Sequence, residues 1–311
     1  MTFSIVAVDP GNGDLGVAVA SRFLAVGSAV PWARAGVGAI ATQAWANVEY
    51  GPAGLAMLEA GLTPDEVVGR LTGDDPGRAE RQLGIVDASG RAASFTGERC
   101  ITWAGGRSAR GVAVQGNILT GPEVVEAMLS AYAAFAASSG ALPDRLLAAL
   151  SAGDAAGGDR RGRESAALLV VRAEGGYGGG NDRWLDLRVD DHRDPVAELL
   201  RLRGLSRLYS ERPSEADLLP IGPALATELR MRLEVAGWSP RNDDPFTASI
   251  RSSMADTPRV GAARIGPPEW TAEWDAALLV WMGVANLEER AAAPGWIDPA
   301  VLAELRAATA D

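Results

Sequence analysis

Thr2-Phe3-Ser4-Ile5-Val6-Ala7-Val8-Asp9 is a strand-like run that places a threonine directly after Met1. If Met1 is removed, as small second residues normally permit, Thr2 carries both a hydroxyl and a free α-amine. A hydroxyl is a weak nucleophile until a base takes its proton, and an α-amine with a pKa of about 7.7–8.0 can take it. Most proteins with threonine at this position use it for no chemistry, so the run by itself only raises the hypothesis that Thr2 is catalytic.

The charge balance argues against polyanionic partners. The chain has 29 basic and 40 acidic side chains and a net charge of −11, which disfavours nucleic acid and anionic membrane surfaces. It contains no lysine, so every basic side chain is arginine, which stays protonated and cannot act as a general base. Schiff-base chemistry on a lysine is therefore excluded.

Few residues are available for metals or disulfides. His192 and Cys100 are the single histidine and the single cysteine, so a Cys/His zinc cluster and a disulfide framework are both excluded. We expect no metal and no cofactor. Without a signal-like N-terminus or a long apolar run, the sequence predicts a cytoplasmic protein with no membrane partner.

The first half of the chain alternates strand patterns with helix patterns. The segment Pro10-Gly11-Asn12-Gly13 predicts a hairpin turn because Asn-Gly tolerates positive φ. Helices are predicted after Gly51 and from Thr63, where Pro64 and early acids follow a cap. The predicted strands of this half are Thr2–Asp9, Asp14–Arg22, Ala25–Trp32, Gly36–Trp45, Gln82–Asp87 and Arg91–Thr96.

The pattern then repeats. A strand over Gly111–Leu119 precedes predicted helices over Gly121–Ala137 and Leu142–Ala152, and strands follow over Ser165–Ala173 and Trp184–Val189. The glycine-rich segment 175–182 between the last two can cradle a phosphate or form a long hairpin turn, and its position between strands favours the turn. The order of elements predicts an α+β fold, with two packed antiparallel sheets and helices outside each.

The sequence pattern of the last third of the chain predicts a separate helical domain. A helix over Pro195–Ser210 leads to a boundary at Glu211-Arg212-Pro213-Ser214, which predicts domains over residues 1–212 and 213–311. Further helices are predicted over Glu215–Gly237, Glu273–Ala292 and Pro299–Ala308, with residues 238–270 mostly loop. Five of the nine tryptophans fall here; they suit either a hydrophobic core, which we favour, or a platform for sugars.

The opening strand, its hairpin and Ala18-Val19-Ala20-Ser21-Arg22 resemble the start of N-terminal nucleophile (Ntn) hydrolases, such as proteasome β-subunits. A closer similarity is to an uncharacterised bacterial and archaeal family placed in that superfamily, over about residues 1–200. The similarity implies a four-layer α-β-β-α sandwich with the nucleophile on the first strand. Its further motifs are Val30–Gly38, Thr42-Gln43-Ala44-Trp45-Ala46-Asn47, Gln115-Gly116-Asn117, Gly157–Gly162, Gly179-Gly180-Asn181-Asp182 and Val189–His192.

A second resemblance lies in the C-terminal third. Trp281-Met282-Gly283-Val284-Ala285-Asn286-Leu287-Glu288-Glu289-Arg290, followed by Ile297-Asp298-Pro299, is similar to a domain assigned to peptidoglycan binding that is often fused to this family. The resemblance implies that the ligand or substrate is a peptidoglycan fragment or another small amide.

The Ntn resemblance assigns catalytic roles. Thr2 is the expected nucleophile, and Ser21 matches by position an aspartate that orients the nucleophile in proteasome subunits. Gln43 and Asn47 lie where that superfamily presents oxyanion-hole donors, although Asn47 equally fits a cap for the next helix. Asp159 resembles a carboxylate that holds the nucleophile's ammonium group, and it equally fits a solvated turn.

Further residues are predicted to complete the site. Asn117 and Gln115 lie two residues apart on a predicted strand and so share a face; we assign Asn117 to catalysis. The proteasome lysine has no counterpart, and Arg34 is the candidate for its electrostatic role. The predicted substrate-binding residues are Arg34, Trp45, Gln115, Ser165, Asn181 and Asp182. Asn181, Asp182, Asp190, Asp191 and His192 can also supply metal ligands, but such groups are usually solvated.

The sequence therefore predicts an amide-bond hydrolase that uses Thr2 and forms a homo-oligomer. The alternative is a protein that keeps the scaffold and binds a small ligand without catalysis. A third hypothesis makes the C-terminal third an oligomerisation module.

Overall fold

The computed structural model describes residues 2–136, 140–242 and 244–310. They form a mixed α/β structure with antiparallel sheets, which confirms the prediction at that level. The chain divides into two compact units, Met1–Leu202 and Arg203–Asp311. This division falls within one helix, ahead of the boundary expected at residues 212/213, and the domain assignment stays a prediction. Met1, Ala137 and Asp311, which the predicted ranges include, lie outside the described residues.

The larger sheet of the first unit has Thr2 on a central strand. Across the sheet the strands lie in the order β10 (Arg183–Val189), β9 (Ser165–Val171), β2 (Leu15–Ser21), β1 (Thr2–Val8), β8 (Val112–Asn117) and β7 (Gly105–Ala109), with every neighbouring pair antiparallel. The turn after β1 is the predicted hairpin, and Gly13 adopts the positive φ of 79° that this turn needs.

The second sheet has four antiparallel strands, which lie side by side in the order β3 (Pro31–Arg34), β4 (Gly38–Ala44), β5 (Arg81–Asp87) and β6 (Ala92–Thr96). Side chains of β1 and β2 that point away from the helices pack against this sheet. The apolar residues of the space between the sheets include Val6, Val8, Ala39, Ala41 and Val86.

Helices cover the outer face of each sheet. Phe3 and Ile5 of β1 pack with α3 (Glu123–Ala136) and α4 (Leu142–Ala155). Ile40 and Ile85 of the four-stranded sheet pack with α1 (Tyr50–Glu59) and α2 (Pro64–Gly73). Thr63 caps α2 by accepting from the Glu66 amide, and Glu66 bonds the Thr63 amide in return.

The second unit is mostly helical and has its own core. Trp270, Trp274 and Trp281 are buried in it, so the core interpretation of these tryptophans is confirmed. Its elements are the last part of α5 (Pro195–Ser210), β11 (Leu219–Pro220), α6 (Pro223–Val235), α7 (Pro245–Met254), α8 (Ala272–Val284), β12 (Trp296–Ile297) and α9 (Pro299–Ala308). No helix in the described part of the chain is long and apolar enough to span a bilayer.

The structure departs from several local predictions; the helix expected over Glu215–Gly237, for example, begins only at Pro223. The strand expected over Ala25–Trp32 begins only at Pro31, because Ala25 is left-handed with a φ of 53° and a short 3-10 turn follows it. The segment 238–270 is mostly loop, as predicted, and also contains the short helix α7, where Asp244 accepts from two backbone amides ahead of a proline at the first turn. Strand β7 was not predicted, since its Gly-Gly-Arg-Ser-Ala sequence has no apolar alternation.

Candidate functional site

A row of polar residues crosses the six-stranded sheet at the level of Thr2. The strand register pairs Thr2 with Ser21 on one side and with Asn117 on the other, and Ser21 pairs in turn with Ser165. All four are buried. Because side chains alternate along a strand, Thr2 and Ser4 point toward the second sheet, whereas Phe3 packs on the helices.

A cavity of about 560 Å³ opens beside Thr2. This volume is typical of sites for small ligands. Much of its wall is apolar, and its charged groups are Glu80, Arg81, Arg99 and Arg161. The lining residues are Thr2, Phe23, Val26, Ala29, Val30, Gln43, Ala44, Trp45, Ala46, Val48, Glu80, Arg81, Arg99, Cys100, Ile101, Asn117, Ile118 and Arg161.

Thr2 is held at both its side chain and its main chain. Its Oγ1 lies 3.1 Å from the Ser21 Oγ, and either hydroxyl can be the donor. The Thr2 carbonyl accepts from Gln43 Nε2 at 3.3 Å and from Asn117 Nδ2 at 3.5 Å. Four of the predicted residues therefore meet at one point, contributed by four different strands.

Gln82 connects these residues and was missed by the sequence analysis. Its Oε1 accepts from Gln43 Nε2 at 2.8 Å and from Asn117 Nδ2 at 2.9 Å. Its Nε2 donates to the Gly116 carbonyl at 2.7 Å and to Thr96 Oγ1 at 2.9 Å. Gln82 is fully buried, so it links the two sheets directly behind Thr2. A glutamine in the otherwise apolar run Gln82-Leu83-Gly84-Ile85-Val86 was the available signal.

A second chain of hydrogen bonds runs from Ser4. The Ser4 hydroxyl donates to Gln43 Oε1 at 2.7 Å and accepts from Gln115 Nε2 at 2.6 Å. Gln115 is fully buried and does not line the cavity. A Cβ on Gly84 would lie 2.0 Å from Gln115 Oε1, so glycine is needed to make room for the amide. The predicted substrate-binding residue Gln115 is thus placed behind the site.

Asp159 fixes the backbone beside Ser21. Its two carboxylate oxygens accept from the amides of Arg22 and Arg161, each at 2.8 Å. Arg161 also pairs with it at 3.4 Å and lines the cavity. Asp159 therefore lies beside Ser21, the partner of the predicted nucleophile, and both of its carboxylate oxygens accept from main-chain amides.

Ser165 supports the loop that forms one wall of the cavity. Its hydroxyl donates to the Phe23 carbonyl and accepts from the Val26 amide. Phe23 and Val26 line the cavity, whereas Ser165 does not. Its contribution to a ligand site is therefore through the shape of this loop.

Trp45 also lines the cavity, and its main chain is held by an arginine that forms an ion pair. Arg81 donates to the Trp45 carbonyl and to Asp75 Oδ2, the latter at 2.8 Å. Hydrogen bonds from Arg81 and from the Tyr50 hydroxyl hold the pKa of Asp75 well below its usual range. Burial, together with the bond to Asp75, raises the pKa of Tyr50. The Asp75 carboxylate thus stays ionised and Tyr50 stays neutral at physiological pH.

Strained backbone occurs at two positions of the cavity wall. Ala44 has a φ of 70° and Ile118 a φ of 50°. A β-branched residue in this region is a conformational outlier. Ala44 follows Gln43 at the end of β4, and Ile118 follows Asn117 at the end of β8. Outliers of this kind cluster at functional sites, where the surrounding structure enforces them.

Four further predicted residues neither line the cavity nor join the hydrogen bonds behind it. Arg34 is exposed and pairs with Glu59 at the far end of β3. Asn47 accepts from the Glu49 amide at 3.2 Å, a local turn ahead of α1. Asn181 and Asp182 occupy the β9–β10 hairpin, beyond Val171, which lies six residues from Ser165 or about 20 Å along the strand.

The acidic residues near the sole histidine do not assemble. No group of three or more His, Cys, Asp or Glu side chains suited to a metal ion occurs among the described residues. The His192 Nδ1 accepts from the Asp194 amide at 3.0 Å. The glycine-rich segment joins the antiparallel strands β9 and β10 as a hairpin, which agrees with the turn interpretation.

Comparison with known proteins gives a family but no activity. A solved structure, protein SPO2555 from Silicibacter pomeroyi, is 34% identical, with a TM-score of 0.59 over 66% of this chain and 89% of that chain. It is described as a member of the family DUF1028. A search of curated proteins found no match. The family model of DUF1028, described as a family of unknown function, matches residues 2–199. The chain belongs to the DUF1028 family.

Proposed function

We propose that the protein is an amide-bond hydrolase whose nucleophile is Thr2, exposed by removal of Met1. The observation that carries the proposal is the position of Thr2. It is the first residue of a central strand, its hydroxyl lies 3.1 Å from that of Ser21, and it lines a cavity of about 560 Å³. A cleaved chain would have its new α-amine on the same residue as that hydroxyl.

The packing order supports an Ntn-type, four-layer α-β-β-α sandwich. Helices α3 and α4 contact the six-stranded sheet, and α1 and α2 contact the four-stranded sheet. A third cluster of apolar residues lies between the two sheets. With the nucleophile on the first strand, this order is the one that the sequence resemblance implies.

The proposed reaction is acyl transfer in two steps. The α-amine of Thr2 takes the hydroxyl proton as Oγ1 attacks the amide carbon. The proton then passes to the leaving nitrogen, the C–N bond breaks, and the acyl group remains as an ester on Thr2. Water activated by the same amine hydrolyses the ester, which releases the acid and restores the hydroxyl.

The surrounding polar groups are assigned to positioning. Gln43 and Asn117 direct their amide donors to the Thr2 carbonyl and to Gln82. We therefore propose that they fix the main chain of the nucleophile. Asp159 fixes the residue after Ser21. Holding reacting groups in one geometry is a large source of rate enhancement.

The first test is covalent labelling. Protein in which mass spectrometry shows Met1 removed is treated with a β-lactone and the adduct is mapped. We expect one adduct on Thr2, and none in Thr2→Ala or in protein that keeps Met1. Cys100 lines the same cavity, but burial raises the pKa of its thiol, so Cys100→Ala should label as wild type. Labelling confined to Cys100, or none on the processed chain, would contradict the proposal.

A second candidate is a binding protein without catalysis. The side chain of Thr2 contacts Ser21, and the described hydrogen bonds give it no carboxylate or histidine partner. Its activation rests on the α-amine alone. If wild type turns over no amide while Thr2→Ala binds a ligand as tightly as wild type, the binding function is favoured.

For the C-terminal unit we propose binding of a peptidoglycan fragment. An open, mostly polar cleft of about 680 Å³ in this unit includes Arg230, Glu234, Asn242 and Trp274. The arginine, glutamate and asparagine side chains of this cleft can hydrogen-bond the hydroxyl, amide and carboxylate groups of a peptidoglycan fragment. Titration of the full chain with muropeptides should show binding that Asn242→Ala weakens; equal affinity in both proteins would contradict this assignment.

A further inference from the structure

Exposed apolar side chains of the first unit concentrate at the cavity beside Thr2. Trp45 is 70% exposed and Ile101 is 60% exposed, and Phe23 and Val48 are exposed as well. These four line the cavity, and Leu24 follows Phe23 in the chain. Only two other large apolar side chains in the described part of this unit are exposed, Tyr177 and Leu200.

The charged groups of the same cavity are already matched. Arg81 pairs with Asp75, Arg99 pairs with Glu80 at 3.6 Å, and Arg161 pairs with Asp159. Each arginine thus has a carboxylate partner. The lining therefore carries no excess charge that would select a strongly charged ligand, and the apolar wall is its main recognition surface.

We propose that the substrate is a small amide whose acyl group is apolar and packs against Phe23, Val48, Trp45 and Ile101. This inference rests on the proposed hydrolysis at Thr2. Contiguous exposed apolar surface marks binding sites, and the cavity volume suits a small ligand. Thr2 lines the same cavity, and of the two groups on the scissile carbon only the acyl group stays on Thr2 in the ester, so it is the group that can contact these side chains in both steps. A polar sugar or a charged peptide would gain little from these side chains.

A straight-chain acyl p-nitroanilide has the apolar acyl group that this proposal requires. Thr2 Oγ1 forms the ester as the anilide C–N bond breaks, and p-nitroaniline leaves with the proton that the α-amine had accepted. Water then cleaves the ester to the fatty acid. No oxidant, reductant or second substrate is required.

The test is a chain-length series of acetyl, butyryl and hexanoyl p-nitroanilides on the Met-processed full chain. Each methylene buried against the wall should raise kcat/KM about fourfold. In Ile101→Ala and Trp45→Ala the dependence on length should flatten, with a larger loss for hexanoyl than for acetyl. Tyr177→Ala removes an apolar group that is fully exposed outside the cavity and should behave as wild type.

Binding of the same anilides to Thr2→Ala, measured by calorimetry, separates the two proposals. Affinity that rises with chain length, without turnover by wild type, would contradict hydrolysis and support the ligand class. Turnover that is independent of chain length would overturn the ligand class and keep hydrolysis. Dimerisation that Ile101→Ala and Trp45→Ala both abolish, with no affinity for the anilides, would show that the patch contacts a second copy and would overturn the inference.

Discussion

The space between the two sheets has two chemically different ends. Toward the β1–β2 hairpin the facing side chains are apolar, and toward the start of β1 they are polar, although the same strands supply both. The apolar end contains Val6, Val8, Val17, Ala39, Ala41, Val86 and Ala113. The polar end contains Ser4, Gln43, Gln82, Gln115 and Asn117, which are equally buried.

The difference indicates where the molecule gives up stability for function. A buried amide must be hydrogen-bonded, because an unpaired one costs about 1–3 kcal/mol. Most of the buried polar groups at the polar end are hydrogen-bonded, but Gln115 Oε1 and Ser94 Oγ are buried without a hydrogen-bond partner within the described residues. Departures from good core packing are expected at functional sites. The polar end adjoins the cavity and Thr2.

The largest effect is expected from Gln82→Leu. The change removes the acceptor of Gln43 and Asn117 and the donor to the Gly116 carbonyl. We expect the free energy of unfolding, measured in urea, to fall by about 3 kcal/mol. Hydrolysis should fall as well, since the amides that hold the Thr2 carbonyl would lose their anchor.

The matched control is Val86→Ala, on the same strand and the same face but at the apolar end. It should lower stability by about 1–2 kcal/mol through lost burial and leave kcat/KM unchanged. If Gln82→Leu were as stable as wild type, the polar end would not be an interdependent network.

The reverse exchange is Val86→Thr, which places a hydroxyl in the apolar end at nearly constant volume. Ala39 is its partner on β4, and the cluster around it is apolar and includes Val8 and Ala113, so the new hydroxyl depends on main-chain acceptors. We expect a loss of about 2 kcal/mol in the free energy of unfolding with unchanged hydrolysis. A stability equal to that of wild type would show that both ends tolerate polar groups alike.

The sequence predicted the apolar end well and the polar end in part. Short, largely apolar runs bounded by glycine-rich turns identified β1, β2 and β4, whose residues are almost all buried on both faces of their sheets. Ser21, Gln43, Asn117 and Thr2 were predicted together and are together. Their assigned roles stay predictions, because no measurement of activity bears on them.

What the sequence did not predict depends on contacts between distant segments. Gln82 lies 35 residues before Asn117 in the chain and meets it only once the sheets pack. Arg34 and Asn181 were grouped with the site by motif, yet the strand registers place them at other ends of their sheets. The spacing of residues along one strand can be predicted from the sequence, whereas the residues that meet across two packed sheets cannot.

A smaller effect is expected from Asp75→Asn in the wall behind Trp45. Hydrogen bonds from Arg81 and Tyr50 lower the pKa of Asp75 in the folded state, so the carboxylate adds stability above its unfolded pKa of about 3.8. That contribution is lost as pH falls below about 4. The variant should be about 1.5 kcal/mol less stable at pH 7, and the two proteins should converge in acid.

Urea unfolding of both proteins at pH 7 and at the lowest pH where they remain folded measures this difference. A gap that stays constant with pH would mean that charge at Asp75 does not stabilise the wall. The side chains of this ion pair are partly exposed, whereas Gln43, Gln82 and Asn117 are buried, so the ion pair contributes less than the buried network.

The smallest effect on stability is expected from Ser21→Ala. Ser21 lies beside Thr2, and Thr2 borders the cavity, so the Thr2 hydroxyl can bond water after the change. The loss should stay below about 1 kcal/mol. Hydrolysis should fall by about tenfold, because the nucleophile loses the group that orients it.

The control is Ser4→Ala, which leaves Gln115 Nε2 without its acceptor in the closed interior and should lower the free energy of unfolding by about 2 kcal/mol. Equal losses of stability for Ser21→Ala and Ser4→Ala would mean that water in the cavity does not replace the hydrogen bond that Thr2 loses. The site at Thr2 would then respond to the loss of a serine hydroxyl in the same way as the buried polar network.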